Sequence, residues 1–216
     1  ITASTDLIKQ TVTTQNVAGI LYGSSPRVKE EIIVIGAHYD HLGFGGAHSG
    51  SRRPDTLAIH NGADDNASGV AAILEIIEKL KAEQTKLKRS ILFLSFGAEE
   101  MGLLGSKYFV NNPLVDLGKI KLMFNLDMVG RLDSTTKAIT VGGTGTAVGL
   151  SDLVQQFSEG EDLNVKLSSE GYGPSDHTSF YVENIPVLFF FTGVHEDYHT
   201  PEDDVEKINL SGEKLV

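Results

Sequence analysis

Two adjacent acids, Glu99 and Glu100, follow the apolar run Ser90-Ile-Leu-Phe-Leu-Ser-Phe. Such a run reads as a strand buried on both faces, and in open α/β sheets the carboxyl ends of such strands carry the ligand site. His38 and Asp40 close a second run that starts at Glu31, Asp127 closes a third that starts at Lys119, and His199 follows a fourth, Ile185 to Thr192. Imidazole and carboxylate gathered at four strand ends are the donors that a divalent cation takes. There is no Cys, so any metal would be held by nitrogen and oxygen alone.

The spacings suggest a division of labour, each with a plainer alternative. His38 and Asp40, two apart on extended chain, share a face; one can bind a metal while the other orients a group behind it. They also suit a polar strand exit. Asp64, in Asn61-Gly-Ala-Asp-Asp-Asn-Ala-Ser-Gly, stands in a Gly-flanked turn before a helix. It could cap that helix, or Asp65 or Asn66 could cap it and leave Asp64 free to bridge two cations. Of Glu99 and Glu100, one can ligate while the other moves a proton between water and a leaving amine. A solvated acidic turn favoured by the helix dipole is the alternative. Asp127 and His199 have capping or surface alternatives of the same kind, and Asp176 suits a helix N-cap first and a site-lining residue second.

The elements that must position these residues follow from periodicity. Gln10 to Tyr22 reads as a hairpin or edge strands. Buried strands are expected over Glu31–His38, Ser90–Gly97, Lys119–Asp127 and Ile185–Phe191, with shorter ones at Ala138–Val141 and Asn164–Leu167. Asp65 to Ala82 carries Val70, Ile73, Leu74, Ile77 and Leu80 at the spacing of an amphipathic helix. Further helices are expected over Leu103–Val110, Gly149–Ser158 and Asp176–Val182. Leu42 to Asn61 is a long loop without period, of the sort that is usually functional or mobile. Strands alternating with helices predict an α/β fold: three-layer α/β/α with a mostly parallel, mixed central sheet.

The 216 residues suit one domain, and the net charge of -11 disfavours nucleic acid or an anionic membrane as partner. No apolar stretch reaches the length of a membrane span. Ile1 in place of Met, and a final segment that reads as the first turns of a longer helix, suggest a single domain trimmed at both ends.

Five segments together carry a resemblance: Ala37-His-Tyr-Asp-His, Gly62-Ala-Asp-Asp-Asn-Ala-Ser-Gly, Gly97-Ala-Glu-Glu-Met-Gly-Leu-Leu-Gly-Ser, Asn125-Leu-Asp-Met and Tyr198-His-Thr-Pro-Glu-Asp. In that order they resemble the motifs of the M28 zinc peptidases. The resemblance implies a zinc-exopeptidase-like fold and two Zn2+ per chain. Asp64 would bridge the ions, Glu100 and His199 would complete one shell, and His38 and Asp127 the other. Asp40 would orient His38, and Glu99 would be the general base and acid toward metal-activated water. Tyr172 and Tyr198 compete for the oxyanion-stabilising role. The implied activity is that of an aminopeptidase acting on peptide substrates, secreted or periplasmic. A carboxypeptidase, a one-zinc glutaminyl cyclase-like transferase and a receptor-like relative are the alternatives.

Overall fold

The strands are β1 (Val17–Leu21), β2 (Ile32–His38), β3 (Ser90–Phe96), β4 (Ile120–Leu126), β5 (Ala138–Gly142), β6 (Asn164–Leu167) and β7 (Val187–Phe191). The helices are α1 (Gly69–Ala82), α2 (Leu104–Asn111), α3 (Leu150–Ser158), α4 (His177–Val182) and α5 (Leu210–Glu213). This computed structural model describes residue 5, residues 11–83 and residues 87–216; Gln10, where the first expected element begins, lies outside them.

Among the described residues the seven strands form one sheet in the order β1-β3-β2-β4-β7-β5-β6. The pairs β2–β3, β2–β4, β4–β7 and β5–β6 are parallel, while β1–β3 and β5–β7 are antiparallel. The sheet is therefore mixed and mostly parallel, as the strand–helix alternation predicts. β1 is the edge strand foreseen in the opening segment, paired to β3 rather than folded on its neighbour in sequence.

Both faces are covered, which explains why the central strands are apolar throughout. On one face Phe109 and Val110 of α2 and Phe180 of α4 pack on Val34, Leu94, Phe96 and Met123. On the other, Ile73, Val70, Ile77 and Leu80 of α1 meet Ile35, Ala37, Phe93 and Leu126. α3 joins that second face, because Phe124 and Phe190 pack against both groups. The β2–β4 register shifts between Ile32 and Ile33. Among the described residues no helix is long and apolar enough to cross a membrane.

Two expectations about α1 change. Leu74 is exposed, and Ile76 completes the apolar stripe in its place. The regular helix also starts at Gly69 rather than Asp65, because Asp65 (φ -109°, ψ 85°) and Asn66 (φ -137°, ψ 44°) are not helical. The Asp65–Asn66 peptide is cis. The four residues taken from the helix form the turn on which the site is built.

Candidate metal centre

The turn before α1 is stitched to the exit of β4 by buried polar groups. Asn66 donates to Leu126 O (2.9 Å) and accepts from the Gly69 and Met128 N–H groups (3.0 and 3.2 Å). The Asp203 carboxylate, itself fully buried, accepts from the N–H groups of Asp64 (2.9 Å) and Asp65 (3.1 Å). Asp64 Oδ1 accepts from Gly130 N (2.7 Å) and Ser68 Oγ (3.0 Å). A Cβ on Gly130 would come within 2.8 Å of Ser68 Cβ and 3.0 Å of that Asp64 oxygen, so the close approach requires glycine.

These bonds overturn the expected role of Asp64. Its Oδ2 lies 3.2 Å from His195 Nε2, and His195 Nδ1 meets the Arg131 guanidinium at 3.1 Å. Arg131 and Lys207 both pair with Asp197. Asp64 thus faces a polar network behind the turn and is turned away from the other site residues. The residue between the imidazoles is Asp65, with Oδ1 3.2 Å from His38 Nε2 and Oδ2 3.2 Å from His199 Nε2. Adjacent acids in a motif look alike in sequence, and only the course of the turn tells which one faces the site.

The other site residues assemble as the strand-end argument requires. His38, at the end of β2, is buried and stands 3.5 Å from Asp127 Oδ1. Its Nδ1 lies 3.1 Å from the backbone oxygen of Asp40, whereas the Asp40 carboxylate is 3.8 Å away. That carboxylate accepts from Glu99 N (2.9 Å) and Glu100 N (3.3 Å). Asp40 therefore orients His38 through its main chain, and its side chain fixes the turn that carries both glutamates. His199, with a left-handed backbone (φ 56°), has Nε2 3.2 Å from Glu100 Oε2. Its Nδ1 lies 3.1 Å from Gly50 O, and its carbonyl accepts from Arg52 N at 2.9 Å. The long 42–61 loop is thus a brace for His199.

His41 was not foreseen. Its Nδ1 lies 2.7 Å from Glu100 Oε1, and its ring meets that of His199 edge-on at 5.7 Å. The signal was in the motif, one residue past Asp40, but a third residue in a strand-exit turn has no fixed direction in sequence.

The two tyrosines separate. Tyr198 stacks on the His199 ring at 3.8 Å and lines the cavity over the site. Tyr172 is 63 % exposed, packs edge-on against Tyr181, and is not part of that cavity lining. Asp176 corrects its first reading: it makes no capping bond to α4, and both carboxylate oxygens are buried without a partner.

The electrostatics follow from crowding acids and imidazoles in a buried place. Burial, only partly opposed by His38 and reinforced by Asp127, Asp176 and Glu100, lifts the Glu99 carboxyl to about 9. Burial likewise lifts Asp176 to about 7. His199 is held protonated up to about 10: burial opposes the charge, but the Asp65 and Glu100 side chains outweigh it. Glu100 is pulled below the ordinary carboxyl value, burial being outweighed by His199 and His41. Tyr198 is raised by burial and by surrounding carboxylates, so its phenol keeps its proton.

Distances test whether cations fit. Donors bound tetrahedrally at about 2.0–2.2 Å stand roughly 3.3–3.6 Å apart along each edge. The contacts of His38 with Asp65 and Asp127 are 3.2 and 3.5 Å, and those of His199 with Asp65 and Glu100 are both 3.2 Å. Both groups of three share Asp65, one oxygen to each. The donor set is nitrogen and oxygen only, as borderline divalent cations accept.

Comparison with known proteins gives the family. The model of Peptidase family M28 matches residues 16–215. Aminopeptidase YwaD of Bacillus subtilis is 32% identical over 207 residues, covering 91% of this chain and 41% of that protein. Leucine aminopeptidase 1 of Uncinocarpus reesii is 28% identical, covering 86% of this chain and 48% of that protein. The solved structure of a zinc aminopeptidase from Bacillus subtilis superposes with a TM-score of 0.72 at 31% identity, covering 92% of this chain and 46% of that one. The chain spans less than half the length of these relatives. A family model that covers nearly the whole described chain, on a fold with paired His–carboxylate groups at its strand ends, places this protein in peptidase family M28.

Proposed function

We propose that this chain is the catalytic domain of a zinc aminopeptidase that removes N-terminal residues from peptides, with two zinc ions per chain. The observation that carries the reading is the Asp65 carboxylate, which offers one oxygen to the His38–Asp127 pair and the other to the His199–Glu100 pair. Zinc bound there would supply Lewis acidity toward the scissile carbonyl and toward water. The named relatives, two aminopeptidases and a zinc aminopeptidase structure, support the same assignment.

The chain's own residues supply the rest. Glu99 lines the cavity beside Asp65 and Asp127, where a carboxylate is placed to take a proton from water and return it to the leaving amine. Asp40 holds the Glu99 N–H and so fixes where that carboxylate stands. Tyr198, protonated and stacked on His199, is the donor for oxyanion charge.

The cavity of about 220 Å³ has an apolar wall of Met128, Pro174, Phe189, Phe191 and Val194. Such a wall favours substrates whose first side chain is aliphatic or aromatic. Among the described residues no Lys or Arg lines it, and Arg131 is engaged by Asp197 and His195. A terminal α-amine therefore suits the cavity better than a terminal carboxylate.

A panel of aminoacyl chromogenic substrates, with N-blocked counterparts and added zinc, tests the proposal. Leucyl and phenylalanyl substrates should be cleaved and their N-blocked forms left intact. Cleavage of blocked peptides from the carboxyl end, or cyclisation of N-terminal Gln with one zinc per chain, would sink it.

A further inference from the structure

His41 stands at the site without an assigned task. Its side chain is 8% exposed, and neither ring nitrogen makes a hydrogen bond of good angle. Glu100 Oε1, which it faces at 2.7 Å, is also buried and makes no such bond. The distances divide the contacts of Glu100 into two kinds. Oε2 stands 3.2 Å from His199 Nε2, the separation of two donors on one cation. Oε1 stands 2.7 Å from His41 Nδ1, too close for a tetrahedral edge and within reach of an imidazole–carboxylate ion-pair contact. The 3.9 Å from His41 Nδ1 to Asp65 Oδ2 exceeds the edge length as well.

We infer that His41 is a positioning residue: it holds Glu100 Oε1 and so presents Oε2, alone, to the cation that Glu100 shares with His199 and Asp65. A free carboxylate can rotate and offer either oxygen or both. Fixing one oxygen removes that freedom before the ion arrives, and partners behind ligands typically change metal affinity by about 10–100-fold. The arrangement requires the proton on Nδ1, since a carboxylate only accepts. The surroundings favour the contact sterically: Gly62 (φ 59°) lies against the ring, and a Cβ built there would come within 2.6 Å of His41 Cγ.

The inference rests on the two-zinc reading, and the test separates the two. The chain would be stripped with chelator and titrated with zinc against a chromophoric competitor, in the wild type and in His41→Ala, His41→Asn, His41→Gln and Glu100→Gln. Asn places an amide N–H near the position of Nδ1, whereas Gln places it near Nε2. His41→Ala and His41→Gln should weaken one of the two zinc-binding steps by roughly tenfold or more, and His41→Asn should recover most of the loss. The d–d bands of the cobalt-loaded protein should be nearly the same in wild type and His41→Asn, because the ligand atoms are unchanged. Equal zinc affinity in wild type and His41→Ala, while Glu100→Gln loses a zinc, would overturn the role of His41 alone. A His41→Asn variant as weak as His41→Ala, with shifted cobalt bands at full loading, would make His41 a ligand and overturn it too. Unchanged binding of two zinc ions by Glu100→Gln would instead overturn the metal-site reading.

Discussion

Asp64 and Asp65 are neighbours in the chain and send their carboxylates to different partners. Asp64 is spent on Gly130 N, Ser68 Oγ and His195, while Asp65 spans His38 and His199. The backbone between them is held by one carboxylate, Asp203, which accepts from both N–H groups. A single buried acid behind the turn thus fixes which aspartate faces the site.

That division predicts opposite effects on zinc content. Asp65→Asn should lower zinc stoichiometry, abolish turnover and also lower the melting temperature of the chelated protein, because it removes the charge partner of His38 and His199. Asp64→Asn should keep its zinc but lose stability, on the order of 1–3 kcal/mol for a disturbed buried polar group. Metal analysis of the two variants decides it, and loss of zinc from Asp64→Asn with zinc retained by Asp65→Asn would restore Asp64 as the shared ligand.

Glu99→Gln should bind zinc normally and lose turnover by about 10²–10⁴-fold, the usual contribution of a positioned proton carrier. Because burial penalises the Glu99 carboxylate, the chelated variant should also melt no lower than wild type near neutral pH. Turnover within a few-fold of wild type would remove Glu99 from its role.

The tyrosines should differ sharply. Tyr198→Phe should lower kcat by roughly 10²-fold or more with a smaller effect on KM, as expected for loss of an oxyanion donor. Tyr172→Phe, at an exposed ring that packs on Tyr181, should leave both nearly unchanged. Steady-state kinetics on one leucyl substrate suffices to test this.

The pH dependence has a defined sign. The folded-state pKa of His199 is raised from 6.5 to about 10, so the stability it contributes is complete below 6.5 and is lost as pH rises through about 10. Glu99, raised from 4.5 to about 9, favours its neutral form in the fold, so stability is lost over that interval as well. The chelated protein should therefore melt at lower temperature as pH rises across this range. A zinc ligand must be a neutral imidazole, so zinc uptake near neutral pH should release protons and bind more tightly as pH rises. Melting curves with chelator and with zinc, and a pH indicator in weak buffer, measure both; zinc uptake without proton release would contradict the proposed shells.

Much of this protein is written in local pattern. Two-faced apolar runs with acids and histidines at their ends determine a parallel-sheet fold with its site at the carboxyl ends, because a buried strand must be apolar and its exit is where polar groups can reappear. His38, Glu99, Glu100, Asp127 and His199 were legible for that reason. What the tertiary structure alone decided are choices between neighbours: Asp65 over Asp64, Tyr198 over Tyr172, the late start of α1, and the entry of His41 beside Glu100. Each depends on how a turn is held by residues distant in the chain. Asp203 lies more than a hundred residues from the turn it fixes, and the loop carbonyl of Gly50 braces His199. Periodicity reports which face a residue shares with its neighbours in an element, but a turn has no period, and the direction of its side chains is set by the partners that satisfy its backbone.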